Sequence, residues 1–124
     1  AIAVTDLASM AERRLAQLVD PALSRGLPPF LASDSGLNSG FMMAQVTAAA
    51  LVSEAKTLSH PKSVDTIPTS ADREDHVSMG MIGARHFDTV TSHLAHVLAI
   101  EAVVSCEGVR QRGAQGHEGD GARH

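Results

Sequence analysis

Residues 77–106 read VSMGMIGARHFDTVTSHLAHVLAIEAVVSC, with no proline among them. Val77, Met81, Ala84, Phe87 or Asp88, Thr91, Leu94, Leu98 and Glu101 recur at three- and four-residue steps. That is the period of one face of an α-helix. Gly80 and Gly83 weaken its start by about 1 kcal/mol each relative to alanine. The stretch predicts a helix beginning near Asp75 or Val77 and ending at about Cys106. Roughly 30 residues at 1.5 Å each span about 45 Å, longer than a three-helix domain of this size needs. An all-α fold follows, and the excess length reads as part of a larger bundle.

Two further helices precede it. Val4, Leu7, Ala11, Leu15 and Leu18 mark one from about Ala3 to Val19, closed at Asp20-Pro21 because the residue before proline avoids the α region. Residues 21–37 hold Pro21, Gly26, Pro28, Pro29 and Gly36 and read as a loop. The next helix is expected to be capped by Asn38 or Ser39 and to run to about Ser59, before His60-Pro61. Phe41, Met42, Gln45, Ala49 and Val52 line one side, and Ala48, Ala50 and Leu51 widen the apolar surface. A helix apolar nearly all round is usually buried. Residues 60–76, HPKSVDTIPTSADREDH, form a polar loop of a length that is often functional. Residues 1–106 thus make the helical segment. Residues 107–124, rich in glycine and arginine, are expected to be a disordered tail.

Composition sets outer bounds. A chain of 124 residues, 44% apolar and 19% charged, is one folded domain rather than a disordered segment. It has three phenylalanines and neither Trp nor Tyr. A core of Ala, Leu, Val and Met points to closely packed helices and to burial against other chains. A net charge of −4 argues against nucleic acid, which needs a concentrated basic surface. The single cysteine, Cys106, fits a reducing compartment and reads as a buried thiol rather than a nucleophile. No signal peptide or membrane span is evident: the longest uncharged run, Ser35–Ser53, holds Asn38, Gln45, Thr47 and three serines. The chain lacks an initiator Met and opens in mid-pattern, as a piece of a longer protein would.

Two groups of residues could carry chemistry. His86, His93 and His96 share a helix face at i, i+7 and i+10; a solvated polar stripe explains them better than a metal site, and no metal is assigned. Glu74-Asp75-His76 stand where the long loop meets the third helix. Asp75 suits a helix cap and the acidic pair suits the helix dipole. Equally, Glu74 suits a catalytic or substrate-binding carboxylate held at a helix start. Local physics accommodates both.

The run Ser63-Val64-Asp65-Thr66-Ile67-Pro68-Thr69-Ser70-Ala71, followed by Glu74-Asp75-His76-Val77-Ser78-Met79-Gly80, closely resembles the histidine ammonia-lyases, of the aromatic amino acid lyase family. So do Gly36-Leu37-Asn38-Ser39-Gly40-Phe41-Met42 with Ala44–Leu51, Glu12-Arg13-Arg14, and Val97-Leu98-Ala99-Ile100-Glu101. These segments fall in the family's order and spacing and cover about residues 5–108.

The resemblance implies an all-α fold of long antiparallel helices packed into a central bundle shared by four subunits. It implies non-oxidative loss of ammonia from L-histidine to give urocanate, through a methylidene-imidazolone electrophile formed from an Ala-Ser-Gly tripeptide. It implies a cytoplasmic enzyme with neither membrane nor nucleic acid as partner. Glu74 matches the family's active-site glutamate, implying contact with the substrate near the electrophile and assistance to binding and proton transfer. Structural support is implied for Asp75 and His76, and helix packing for Phe41, Met42 and Gln45.

Some parts of the family pattern are missing. The 124 residues contain no Ala-Ser-Gly and no tyrosine, so they lack the electrophile's precursor and the family's catalytic tyrosine. Asp72-Arg73 stands where the family usually has Asn-Gln, and Arg73 is expected to pair with Glu74. An acidic residue at position 74 suits an imidazole-bearing substrate better than a phenyl ring. A related tyrosine or phenylalanine ammonia-lyase or aminomutase is the alternative on the same scaffold, and a non-catalytic helical association module is the alternative outside enzymes. The isolated 124 residues are expected to be inactive.

Overall fold

The computed structural model describes residues 1–121, with side chains described to Gln115. Three helices carry the fold: α1 (Ile2–Val19), α2 (Met42–Leu58) and α3 (Gly80–Gly121). Single 3-10 turns at Pro29–Leu31 and Lys62–Val64 punctuate the connections. No strand occurs among the described residues, only isolated bridges at Ser35–Asn38 and Thr69–Glu74.

Contacts between helices fix their directions. Thr5 meets Ala55 and Ser59, and Gln45 meets Glu12, so α2 runs antiparallel to α1. His93 faces Glu54, while Phe41 and Ala44 share a groove with Val103 and Val104, so α2 also runs antiparallel to α3. α1 and α3 are parallel.

The core between them is built from small side chains. Ala8, Ala11, Leu15 and Val19 of α1 meet Ala48 and Val52 of α2 and Val97 and Val104 of α3. Alanine at the contact lets helix axes approach closely. Val90, Val97 and Val104 are all fully buried and lie one heptad apart, the spacing of a coiled-coil seam. Leu15 is the bulkiest fully buried side chain of α1, so its truncation leaves a cavity in the core. Leu15→Ala is expected to cost about 2–5 kcal/mol, read as a lowered urea midpoint.

The structure corrects the helix faces read from periodicity. On α3 the traced positions Met81, Phe87 and Leu98 are exposed, whereas the traced Leu94 packs against the core beside the buried stripe of Val90, Val97 and Val104. The apolar surface of this helix is wider than one stripe, so a period-3.6 pattern fits more than one face. α2 is likewise not buried all round: Ala48, Val52 and Ala55 face inward, while Met43 and Val46 are exposed. Cys106 is exposed rather than buried. By length and composition Gly80–Gln115 also meets the requirement for a membrane-crossing helix, which the uncharged run at residues 35–53 did not. The open apolar faces of α2 and α3 predict self-association of the isolated chain. Sedimentation should show species larger than a monomer; a monodisperse monomer would contradict this.

Helix boundaries also move. α2 starts at Met42, not at an Asn38 or Ser39 cap. The Phe41 N–H donates to the Phe30 carbonyl (2.9 Å), and Asn38 Oδ1 accepts from Gly40 N–H (3.1 Å), so these residues build a turn before the helix. α3 starts at Gly80 rather than at Asp75 or Val77: His76 sits at φ 55, outside the helical region, which separates Asp75 from the helix, and Ser78 Oγ accepts from the Gly80 N–H at its start. α3 then runs past Cys106 instead of giving way to a disordered tail. Glu107 bonds Arg110 (2.6 Å) and Gln111 (2.7 Å) along the helix, Gln111 also donates to the Leu31 carbonyl (2.8 Å), and Arg112 donates to those of Ser24 (2.8 Å) and Arg25 (2.7 Å). Such i,i+3 and i,i+4 pairs stabilise a helix that composition alone would leave uncertain. The part of the expected tail at residues 122–124 lies outside the described residues.

Candidate active site

The segment from His60 to Met79 returns the chain from the end of α2 to the start of α3. Pro61 prevents α2 from continuing, and the Lys62–Val64 turn redirects the chain. Thr69 and Glu74 then exchange two backbone hydrogen bonds, Thr69 N–H to Glu74 O (3.2 Å) and Glu74 N–H to Thr69 O (3.3 Å). They close a tight hairpin whose tip is Ser70-Ala71-Asp72-Arg73. Ser70, Ala71 and Asp72 all lie in the left-handed region, at φ 56, 56 and 61. None is glycine, and such residues cost of order 1 kcal/mol each. A strained turn of this kind is a feature of binding and catalytic loops.

Glu74 therefore sits at the hairpin's closing pair, with its backbone fixed on both sides and its side chain exposed. Its carboxylate has no hydrogen-bond or ion-pair partner among the described residues. This corrects the expected pairing with Arg73: Arg73 belongs to the turn, its N–H bonded to the Ser70 carbonyl, and Glu74 to the closing pair, with no ion pair between them. Asp75 does not cap α3. Its Oδ1 accepts from the next N–H, that of His76 (2.8 Å), while Ser78 Oγ accepts from Gly80 N–H (3.2 Å) at the true helix start. Of the two readings left open for this cluster, the helix-cap reading loses its geometry.

Behind the hairpin lies a cleft of ≈ 660 Å³ between the start of α1, the end of α2 and the first turns of α3. His60, Lys62, Asp65, His76 and His86 supply its polar groups, and Ile2 and Phe87 some of its apolar wall. Glu74 does not line it. The three histidines of α3 do not converge: His86 faces the cleft, His93 Nε2 lies 3.8 Å from Glu54 Oε2, and His96 Nδ1 contacts the Ser92 carbonyl (2.8 Å) in its own helix.

Away from this end, the other singled-out segments tie the helices together. Glu12 is buried at 4% exposure on α1. It takes two hydrogen bonds from Arg13 (2.6 and 2.7 Å) and one from Gln45 Nε2 (2.9 Å) on α2. Arg14 forms a two-point pair with Glu101 on α3 (2.5 and 2.9 Å). Gln45, read as a packing residue, is thus a polar tie; a lone amide on an apolar helix is the signal that could have shown it.

Burial pushes the Glu12 carboxyl up, but the Arg13 and Gln45 hydrogen bonds and the charges of Arg13 and Lys56 outweigh it and hold it below its ordinary value. Glu107 is held at about 2 by Arg110 and Gln111. Both are depressed, so their stabilisation is complete above about pH 4.5, the ordinary value, and is lost as pH falls through the folded values. Urea midpoints are expected to drop below that pH, and Glu12→Gln should flatten the decline.

The family model for aromatic amino acid lyases matches residues 1–124. The chain belongs to that family. Histidine ammonia-lyase of Sorangium cellulosum is 59% identical over 112 residues, which is 90% of this chain and 22% of that protein. Histidine ammonia-lyase of Geobacillus thermodenitrificans is 55% identical over the same shares. Among solved structures, histidine ammonia-lyase from Trypanosoma cruzi superposes with a TM-score of 0.84 at 50% identity, over 88% of this chain and 21% of that one. Tyrosine aminomutase from Streptomyces globisporus superposes at 0.86 with 40% identity, over 90% and 21%. This aromatic amino acid lyase chain thus spans about a fifth of the length of its relatives. Their likeness supports the all-α lyase fold expected from the motifs.

Proposed function

We propose that this lyase chain supplies the glutamate-bearing hairpin and part of the helical bundle of an ammonia-lyase acting on L-histidine, with urocanate as product. The observation that carries this reading is Glu74, a carboxylate without a partner among the described residues, held at the closing pair of a strained hairpin. In that role it accepts a hydrogen bond from the imidazole and assists proton transfer.

Sequence favours histidine over tyrosine as substrate. Identity reaches 59% and 50% with proteins named histidine ammonia-lyase and stands at 40% with the tyrosine aminomutase, whereas the folds superpose equally well.

A methylidene-imidazolone electrophile would supply the ammonia-eliminating chemistry in this reading. The residues present do not fit its formation, since none of the 124 makes an Ala-Ser-Gly; it has to come from sequence outside them. Assembly into a tetramer and a cytoplasmic location belong to the same proposal, supported by the open apolar faces of α2 and α3 and by the lone thiol.

The test exchanges the matched 112 residues into the Sorangium cellulosum enzyme and follows urocanate formation. Turnover of histidine within about tenfold of the parent, with none of tyrosine, is expected. A correctly assembled hybrid that deaminates tyrosine but not histidine would overturn the substrate assignment.

A further inference from the structure

A second cleft, of ≈ 400 Å³, lies at the opposite end of the molecule from the hairpin, between α1, the loop after it and the last turns of α3. Its volume is within the range of small-molecule sites. Arg14, Arg25 and Arg112 line it, against one carboxylate, Glu101. The chain as a whole is acidic, with ten Lys and Arg against fourteen Asp and Glu. Three of those ten cations meet on this one surface.

Two of the three are fixed in place. Arg14 is held by both oxygens of Glu101, and Arg112 by the carbonyls of Ser24 and Arg25. A guanidinium has five N–H donors, so each retains donors beyond those two bonds. Arg25 has no side-chain partner among the described residues and lines the cleft as an exposed residue. Ser105 and Gln17 add neutral hydrogen-bonding groups. A single carboxylate leaves two positive charges unbalanced, and forked donors match a tetrahedral oxyanion.

We propose that this cleft binds a phosphate-type dianion, with Arg25 closing on it over the fixed guanidinium groups of Arg14 and Arg112. The site is independent of the lyase reading.

Inorganic phosphate titrated into the 124-residue chain at constant ionic strength, followed by calorimetry, tests it. Saturable binding is expected, weakened at least about tenfold by Arg25→Gln and unchanged by Lys56→Gln, a cation outside the cleft. Arg25 makes no side-chain contact that folding needs, so its variant reports on binding. Absence of saturable binding, or equal weakening by Lys56→Gln, would overturn the site. Succinate binding as tightly as phosphate would overturn the phosphate assignment in favour of a dicarboxylate.

Discussion

Glu74→Gln is expected to cut histidine turnover by about 10²–10⁴-fold, the range for removing a positioned acid or base. The substitution keeps side-chain size and removes only the negative charge and the proton-accepting capacity. Because the Glu74 carboxylate has no hydrogen-bond or ion-pair partner among the described residues, the fold has no stake in its charge, and the stability should change by less than about 0.5 kcal/mol. The measurement is urocanate release by the Sorangium cellulosum hybrid with and without the change. Loss of kcat with stability retained fits a catalytic carboxylate. An unchanged kcat would remove Glu74 from the chemistry. Asp75→Asn serves as a contrast: its carboxylate only braces the next N–H, so a small change is expected.

Gly40→Ala is expected to destabilise the chain by about 2–4 kcal/mol. A Cβ there would stand 2.4 Å from the Phe30 carbonyl oxygen and 3.0 Å from the Ala32 Cβ, on a backbone already at φ +46. The obstacle is backbone, which cannot swing aside as a side chain would. The same carbonyl accepts the Phe41 N–H that starts the approach to α2, so relief of the clash breaks the join between the α1–α2 loop and α2. Gly36→Ala separates the two effects. Gly36 has a positive φ of +97 but nothing within 4 Å, so only the conformational penalty of about 1 kcal/mol applies. Urea denaturation of both variants should therefore show a clear gap, and equal midpoints would mean that the loop gives way at little cost.

The existence of three helices was legible because prolines and glycines cut the chain into three periodic runs, at Asp20-Pro21 and at His60-Pro61. Which face of each helix packs was not. α3 is apolar over more than one face, and nothing local distinguishes the packed stripe of Val90, Leu94, Val97 and Val104 from the exposed Met81, Phe87 and Leu98. Only the presence of α1 and α2 makes that choice. The length of α3 was hidden for a similar reason: Gly108 and Gly113 predict a break, while the hydrogen bonds of Gln111 and Arg112 to the loop at residues 24–31 are non-local. The resemblance singled out Glu74 as the candidate carboxylate, but that it has no side-chain partner among the described residues was not readable. Asp75 has the chemistry of a cap, but the left-handed His76 separates it from the helix that starts at Gly80.

The most direct measurement is the crystal structure of the Sorangium cellulosum hybrid with histidine, or an unreactive histidine analogue, bound. The Glu74 carboxylate is expected within hydrogen-bond reach of the imidazole, about 2.6–3.2 Å between heavy atoms. A bound imidazole whose nearest carboxylate is another residue, with Glu74 turned to solvent, would contradict it.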